Sequence, residues 1–321
     1  MKIYSLLILL FLSLNVPAQQ DSCISVSDIS NFWNAYDKLT LTKDTTAQKD
    51  IIRRVYLDRA SAGLKDMMSA RKLNAGSWVK AINEHPRFWV SIRPHTMAAI
   101  ADTSKINKLM VRFKKLYPEF KKPSVYFVIG NLRTGGVTSP GRVLMGAEIA
   151  TADSTVNTEG LSQFLKDVFH DSPGIYGLLA HELGHTQQHI SDGDQEGKME
   201  LLGFCIREGA CDFIAELLTT RERKTPYIFY GKTHERELWN RFKTQMYGSQ
   251  IGDWLYNGST IKNGHADLGY FMGYAICKYY YTHAEDKAGV IAEIFHLDYD
   301  DKNAVRHFFE RSGYAAAQHE D

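Results

Sequence analysis

From Ser27 to about Tyr117 apolar residues return at spacings of three and four. Ile51-Ile52-Arg53-Arg54-Val55-Tyr56-Leu57 and the stretch from Ile106 to Leu116 are examples, and the spacing predicts a series of helices. Pro86, Pro94 and Pro118 are expected to end them. The period then changes. Val125-Tyr126-Phe127-Val128-Ile129 is a short β-rich run, Gly135-Gly136 marks a turn, and Arg142 to Ala150 is a second run able to pair with the first. Beyond Gly160 the pattern is helical again, with Leu161, Phe164, Leu165, Val168 and Phe169 forming one apolar stripe. Pro173 opens the next helix, Met199 to Thr220 forms another, and Asp267 to Tyr281 a third long one. The pattern predicts an α+β, mostly helical protein. A helical region over 19–120 precedes a second region over 121–321, the two forming one compact unit with a small β-sheet against a long helix.

The first 18 residues read differently. Lys2 precedes an apolar stretch from Leu6 to Leu14, followed by Pro17-Ala18 and the polar Gln19-Gln20-Asp21, the layout of a secretory signal peptide cleaved after Ala18. The apolar stretch is too short to span a bilayer, where roughly 20 residues are needed, and no later segment is long enough either. The expectation is an exported protein, periplasmic or secreted and associated with the envelope, without an integral membrane span. Cys23 follows residues too polar for a lipoprotein signal. Cys205 and Cys211 would lie about 9 Å apart along one helix, on different faces, and should not pair with each other. Either is able to link to Cys277, or all remain buried thiols.

Composition supports a packed core and narrows the partners. Of 321 residues, 44% are hydrophobic and the formal net charge is +1, which excludes disorder and gives no electrostatic argument for nucleic acid or an anionic membrane. The basic residues Arg112, Lys114, Lys115, Lys121 and Lys122 read as a solvated helix face and loop.

The chemistry concentrates in Gly177-Leu178-Leu179-Ala180-His181-Glu182-Leu183-Gly184-His185-Thr186-Gln187-Gln188-His189. On a helix, His181 and His185 stand one turn apart on the same face, so both imidazoles can reach one zinc ion. Glu182 is rotated about 100° away, placed to meet a water on that ion rather than to bind it. A zinc hydrolase needs a third protein ligand and an open position for water. The metzincin arrangement would require Gly at 188 and His at 191, where this chain has Gln188 and Ser191. The gluzincin arrangement requires a Glu on a following helix one turn before an Asp, and Arg207-Glu208-Gly209-Ala210-Cys211-Asp212 supplies it. Glu208 would ligate, while Asp212 would take the outer N–H of a zinc histidine, His181. His189 is a rival third ligand, but about 12 Å along the axis from His181 it requires the helix to break after His185. Glu216, two turns past Glu208, reads as solvent-facing or a structural partner.

At these residues the chain resembles gluzincin-type zinc peptidases. More narrowly, it resembles a family of exported or lipid-anchored bacterial proteins described as zinc-dependent proteases, to which the gliding-motility lipoprotein B group is related. The blocks that carry the resemblance are Val125 to Gly130, Gly135-Gly136-Val137-Thr138, Leu144-Met145-Gly146-Ala147-Glu148, Ala180-His181-Glu182, Arg207 to Ile214 and Asp267 to Tyr274, spanning about Ser27 to Tyr314. Gly184 inside the active-site helix is a departure that costs about 1 kcal/mol relative to Ala, unless it serves close packing.

The resemblance implies a zincin-like fold, a Zn2+ cofactor and a peptide or protein substrate. Glu182 would be the general base, and an oxyanion-stabilising residue would come from Tyr270, Tyr274 or His265, with Tyr270 named first. Arg142 to Ala150 would be the edge strand that binds substrate backbone, and Gly135-Gly136 would allow close approach or merely turn. Two other readings stand beside it. Gly146-Ala147-Glu148 is faintly similar to the amine-capturing element of zinc aminopeptidases. A non-catalytic, zinc-binding envelope component of a gliding or secretion apparatus, with an envelope protein partner, is the other.

Overall fold

A computed structural model describes residues 24–318 apart from 102, 190–198, 224 and 262–264. The signal-like segment, Cys23 and Ser191 lie outside the described residues. Helices α1 (Ser27–Leu39), α2 (Thr45–Val55), α3 (Ala62–Arg71), α4 (Ala75–Glu84), α5 (Pro86–Ala101) and α6 (Ser104–Leu116) follow a two-residue strand β1 (Ile24–Ser25). Three strands come next, β2 (Ser124–Val128), β3 (Gly136–Ser139) and β4 (Arg142–Gly146). The rest is helical: α7 (Ala147–Ala150), α8 (Gln163–His170), α9 (Gly174–His185), α10 (Leu201–Thr219), α11 (Pro226–Thr233), α12 (Glu235–Phe242), α13 (Leu268–His283), α14 (Lys287–His296), α15 (Lys302–Ser312) and α16 (Tyr314–Ala317). The α+β, mostly helical class expected from the periodicity is what the chain adopts.

Local sequence sets the helix starts. The Asp44 side chain accepts the Thr46 amide, Ser61 accepts that of Leu64, and Asn74 and Ser77 form a reciprocal capping box. In α1 the buried Ile29, Phe32, Trp33, Tyr36 and Leu39 keep the helical period, and they meet Tyr56 and Trp89 in a cluster of edge-on and tilted rings. Pro94 breaks the expectation, since it lies inside α5 rather than at its end. The amide it lacks would have bonded the carbonyl of Val90, a residue 65% exposed on the solvent side of the helix. The stripe from Leu161 to Phe169 also divides, because α8 begins after its cap Ser162 and only Phe169 of its four apolar members is fully buried.

The sheet order is β1-β2-β4-β3, with β2 parallel to both β1 and β4, and β3 antiparallel to β4. Strand β2 is buried along its whole length, which accounts for its unbroken apolar sequence. Here the expected edge strand needs correction. Arg142 to Gly146 is interior to the sheet, Ala147 to Ala150 is a helical turn, and the edge is Gly136 to Ser139. The sequence hid this because Gly-Val-Thr-Ser is short and only half-buried, with little apolar content to mark it as a strand.

Helix α9 packs against β3, β4 and α10, and α10 in turn lies against α13. The α10–α13 crossing is a backbone contact. A methyl group on Gly209 would stand 2.1 Å from the Tyr274 amide nitrogen, and one on Gly273 would stand 1.7 Å from the Cys205 carbonyl oxygen. Cys205, Cys211 and Cys277 are buried free thiols, so no disulfide forms among the described residues. The same searched residues contain no helix long and apolar enough to cross a membrane.

Substituting Gly273→Ala should therefore force the two helices apart and destabilise the protein by about 3 kcal/mol or more. Gly252→Ala, where an added methyl meets nothing within 4 Å, should change stability by less than about 0.5 kcal/mol. Urea denaturation of both variants beside wild type checks the contrast through the shift in midpoint.

Candidate metal centre

Helix α9 carries His181 and His185 one turn apart, with ring centroids 4.8 Å apart. Helix α10 runs alongside and aims Glu208 at both rings. The Nε2 atoms of the two histidines are 3.1 Å apart, and Glu208 Oε2 lies 3.2 Å from His185 Nε2 and 3.6 Å from His181 Nε2. One donor atom from each of the three residues falls within a 4.8 Å group, the one such cluster among the described residues. Two atoms bound to a tetrahedral zinc ion at about 2.0–2.1 Å stand roughly 3.3 Å apart, so the observed separations fit a shared ion with little rearrangement. Two imidazoles and one carboxylate also make up the donor chemistry of a catalytic zinc site that keeps an open position.

The outer atoms of the donors are held. His181 Nδ1 lies 3.0 Å from Asp212 Oδ1, as the i, i+4 spacing of Glu208 and Asp212 predicts. His185 Nδ1 lies 2.8 Å from Gln188 Oε1, while the Gln188 amide donates to the Arg207 carbonyl and to the Tyr299 hydroxyl. In both cases an oxygen acceptor faces Nδ1, which fixes the proton there and leaves Nε2 free to bind. Glu208 Oε1 accepts from the Tyr256 hydroxyl at 2.8 Å.

Asp212 has no solvent exposure. Burial raises its pKa, but the Arg223 guanidinium at 2.6 Å, His181 and the Tyr227 hydroxyl at 2.8 Å outweigh it and hold the carboxyl down at about 2. Arg223 also donates to the Gly177 carbonyl, so one guanidinium joins α9 to α10. Burial opposes the ionised form of Glu208 as well, yet the two neighbouring histidines keep its pKa well below the usual range. Without a metal ion, burial lowers the proton affinity of His181, but Asp212 and Glu208 overcome it and raise the pKa to about 10.

Glu182 stands apart from the donor cluster. Its carboxyl is buried between α9 and the start of β3, where a methyl on Gly136 would come within 2.6 Å of it. Burial raises its pKa, against the charges of His181, His185 and Arg71. Gly136 therefore provides the close approach, while Gly184 lets α9 approach Cys211 on α10.

Tyr270 lies beside the cluster, its ring stacked 6.3 Å from His181 and packed against Tyr227 and Tyr256. Tyr274 does not; its hydroxyl donates to Glu216, which also binds Lys278, so Glu216 is a structural partner. His265 is exposed and stacks 3.8 Å from Tyr230. Although α9 does end at His185, His189 is exposed, and its backbone amide bonds the Phe295 carbonyl rather than bringing its ring to the cluster. Glu148 is fully buried, and its two oxygens accept the amides of Gly130 and Leu132. It is thus unavailable for the amine capture that Gly146-Ala147-Glu148 suggested.

Gln188, Arg223, Tyr227 and Tyr256 escaped the sequence reading. Gln188 follows the histidine pair by three residues and had a local signal. Arg223 sits in the run Arg221-Glu222-Arg223, which reads as exposed charge, and only the fold turns it inward.

Residues 158–301 match the sequence model of a family described as a predicted Zn-dependent protease. The matched range contains His181, Glu182, His185, Glu208, Asp212 and Tyr270, and excludes the sheet. No curated protein and no solved structure matches the chain.

Removing the Gln188 support should weaken zinc binding about 10- to 100-fold in Gln188→Ala, measured by chelator competition. Because the metal-free His181 pKa is raised to about 10, zinc uptake displaces a proton, and affinity should climb as pH rises from about 6 to about 9. The same shift stabilises the metal-free fold fully below the unfolded pKa of 6.5, and that contribution fades as pH rises through about 10. Chelator competition across this range, beside thermal unfolding of the metal-free protein, reads both trends.

Proposed function

We propose that this protein is a zinc-dependent peptidase of the gluzincin type, with His181, His185 and Glu208 holding the metal and Glu182 acting as general base. The observation that carries the reading is the separation of roles among the acidic groups. Glu208 converges on both histidines, while Glu182, one residue from a histidine, is directed instead towards the edge strand. A purely structural metal site has no use for a buried carboxyl in that position. The match to a family described as a predicted Zn-dependent protease supports the same class of activity.

A zinc ion held by His181, His185 and Glu208 would supply Lewis acidity, making the attacking water more acidic and polarising the substrate carbonyl. Glu182 takes the proton of the attacking water and passes it to the leaving amine, a task suited to a carboxyl whose pKa burial has raised. Strand β3 offers its free edge to the substrate backbone, which would extend the sheet by one strand beside Glu182. Tyr270 is the candidate donor to the developing oxyanion. It is half-buried against His181, and its hydroxyl makes no hydrogen bond among the described residues. Asp212 and Gln188 position the two imidazoles, and Tyr256 positions the outer oxygen of Glu208. The signal-like segment from Leu6 to Leu14 supports the proposal that cleavage takes place outside the cytoplasm, in the periplasm or after secretion.

Glu182→Gln should retain zinc and lose about a thousandfold or more in kcat/KM on any cleaved peptide. Tyr270→Phe should lower kcat about a hundredfold with little change in KM, as expected for an interaction made only in the transition state. Peptide-cleavage kinetics with metal content measured on the same preparations test both; full activity in Glu182→Gln would rule out the proposed base.

A further inference from the structure

The N-terminal helices also reach the site. Arg71 is the last residue of α3, and the chain leaves the helix at Lys72 through a left-handed turn with φ 52°. The guanidinium is exposed and its Nη2 lies 3.4 Å from the Thr134 hydroxyl. Thr134 in turn donates to the Gly136 carbonyl at 2.5 Å, and Gly136 is the residue whose backbone rests on the Glu182 side chain. Arg71 therefore stands at the start of the edge strand, beside the group that would handle the proton of the cleaved bond. Asp66, on the same helix, is taken up by Ser139 at 2.8 Å and Arg142 at 3.0 Å. Among the described residues no carboxylate lies within ion-pair distance of Arg71, although Glu182 is close enough to feel its charge. An exposed guanidinium with one weak hydroxyl contact keeps most of its five N–H donors for a planar, bidentate acceptor.

We propose that Arg71 binds a carboxylate of the substrate, so that peptides bearing one next to the cleaved bond are preferred. The inference rests on the peptidase reading above and deepens it. The carboxylate has two sources in a peptide, an Asp or Glu side chain and the C-terminus, and Arg71 is able to bind either. The competing role for Arg71 is structural: a cation at the end of α3 interacts favourably with the helix dipole. That role affects stability and leaves the choice among substrates unchanged.

The test uses the zinc-loaded full chain and two sets of peptides. In one, a single Glu or Gln is moved along an otherwise neutral peptide blocked at both ends. In the other, the neutral peptide carries a free or an amidated C-terminus. The readout is the ratio of kcat/KM within each matched pair, which does not depend on how much of a variant preparation is folded. Wild type should favour the carboxylate member by about threefold to tenfold at one position. Arg71→Lys should keep part of that preference, Arg71→Ala should bring the ratio towards one, and Arg71→Glu should invert it. An effect confined to the Glu and Gln pairs assigns a side-chain carboxylate, and one confined to the terminal pair assigns the C-terminus. A wild-type ratio of one throughout, or a preference that survives in Arg71→Glu, overturns the proposal. If zinc-loaded wild type cuts none of the peptides, the peptidase reading fails instead. Calorimetric titration of the same matched pairs onto wild type and Arg71→Glu then decides the role of Arg71, with equal binding of both members refuting it.

Discussion

Asp212 keeps a full negative charge at a position with no exposure to water, and the arrangement of the site follows from the groups that make this possible. An isolated buried carboxylate would be too costly to ionise. Here the compensation comes from His181 on α9, from Arg223 beyond the end of α10 and from Tyr227 on α11. Satisfying one charge thus brings three parts of the chain together. Because Arg223 also holds the Gly177 carbonyl, the helix that presents the histidines is locked to the helix that presents Glu208. The same interaction decides which nitrogen of His181 carries the proton, and so turns the other towards His185 and Glu208.

Around this anchor the backbone does the close fitting. Gly184 draws α9 onto α10, and Gly209 and Gly273 bring α10 and α13 into backbone contact, placing Tyr270 against His181. On the opposite side, Gly136 lets the edge strand rest on Glu182. The N-terminal helices contribute as well as cover. Asp66 on α3 binds both ends of the β3–β4 hairpin turn, and at the other end of the sheet the buried Glu148 holds the loop that leads into β3 by two backbone amides. Residues outside the stretch 158–301 that matches the protease family thus support the strand that rests on Glu182.

Much of the donor cluster was legible in the sequence because it is local. His181, His185, Glu208 and Asp212 are pairs at helical spacing, and helical geometry alone predicts which members share a face. The long α9, α10 and α13 carry strong periodic or apolar patterns, and these were predicted to within a few residues. What could not be read depends on tertiary context. Arg223 looks like surface charge until α11 folds over it, and Tyr256 reaches Glu208 from 48 positions away. Strand β3 has too little apolar character to declare itself, so the pattern points to its neighbour β4 as the sheet edge. Pro94 reads locally as a helix stop, yet it lies inside α5, where Val90, the residue it deprives of a partner, is on the exposed side.

The proposed activity requires His181, His185 and Glu208 to bind one metal ion together. The most direct measurement is elemental analysis of the purified protein after zinc loading and removal of excess, performed on wild type, His185→Ala and Glu208→Ala. About one zinc per chain is expected in wild type, lost in both variants while circular dichroism stays that of a folded protein. Zinc retained at full occupancy in Glu208→Ala, or no zinc in wild type after loading, would contradict it.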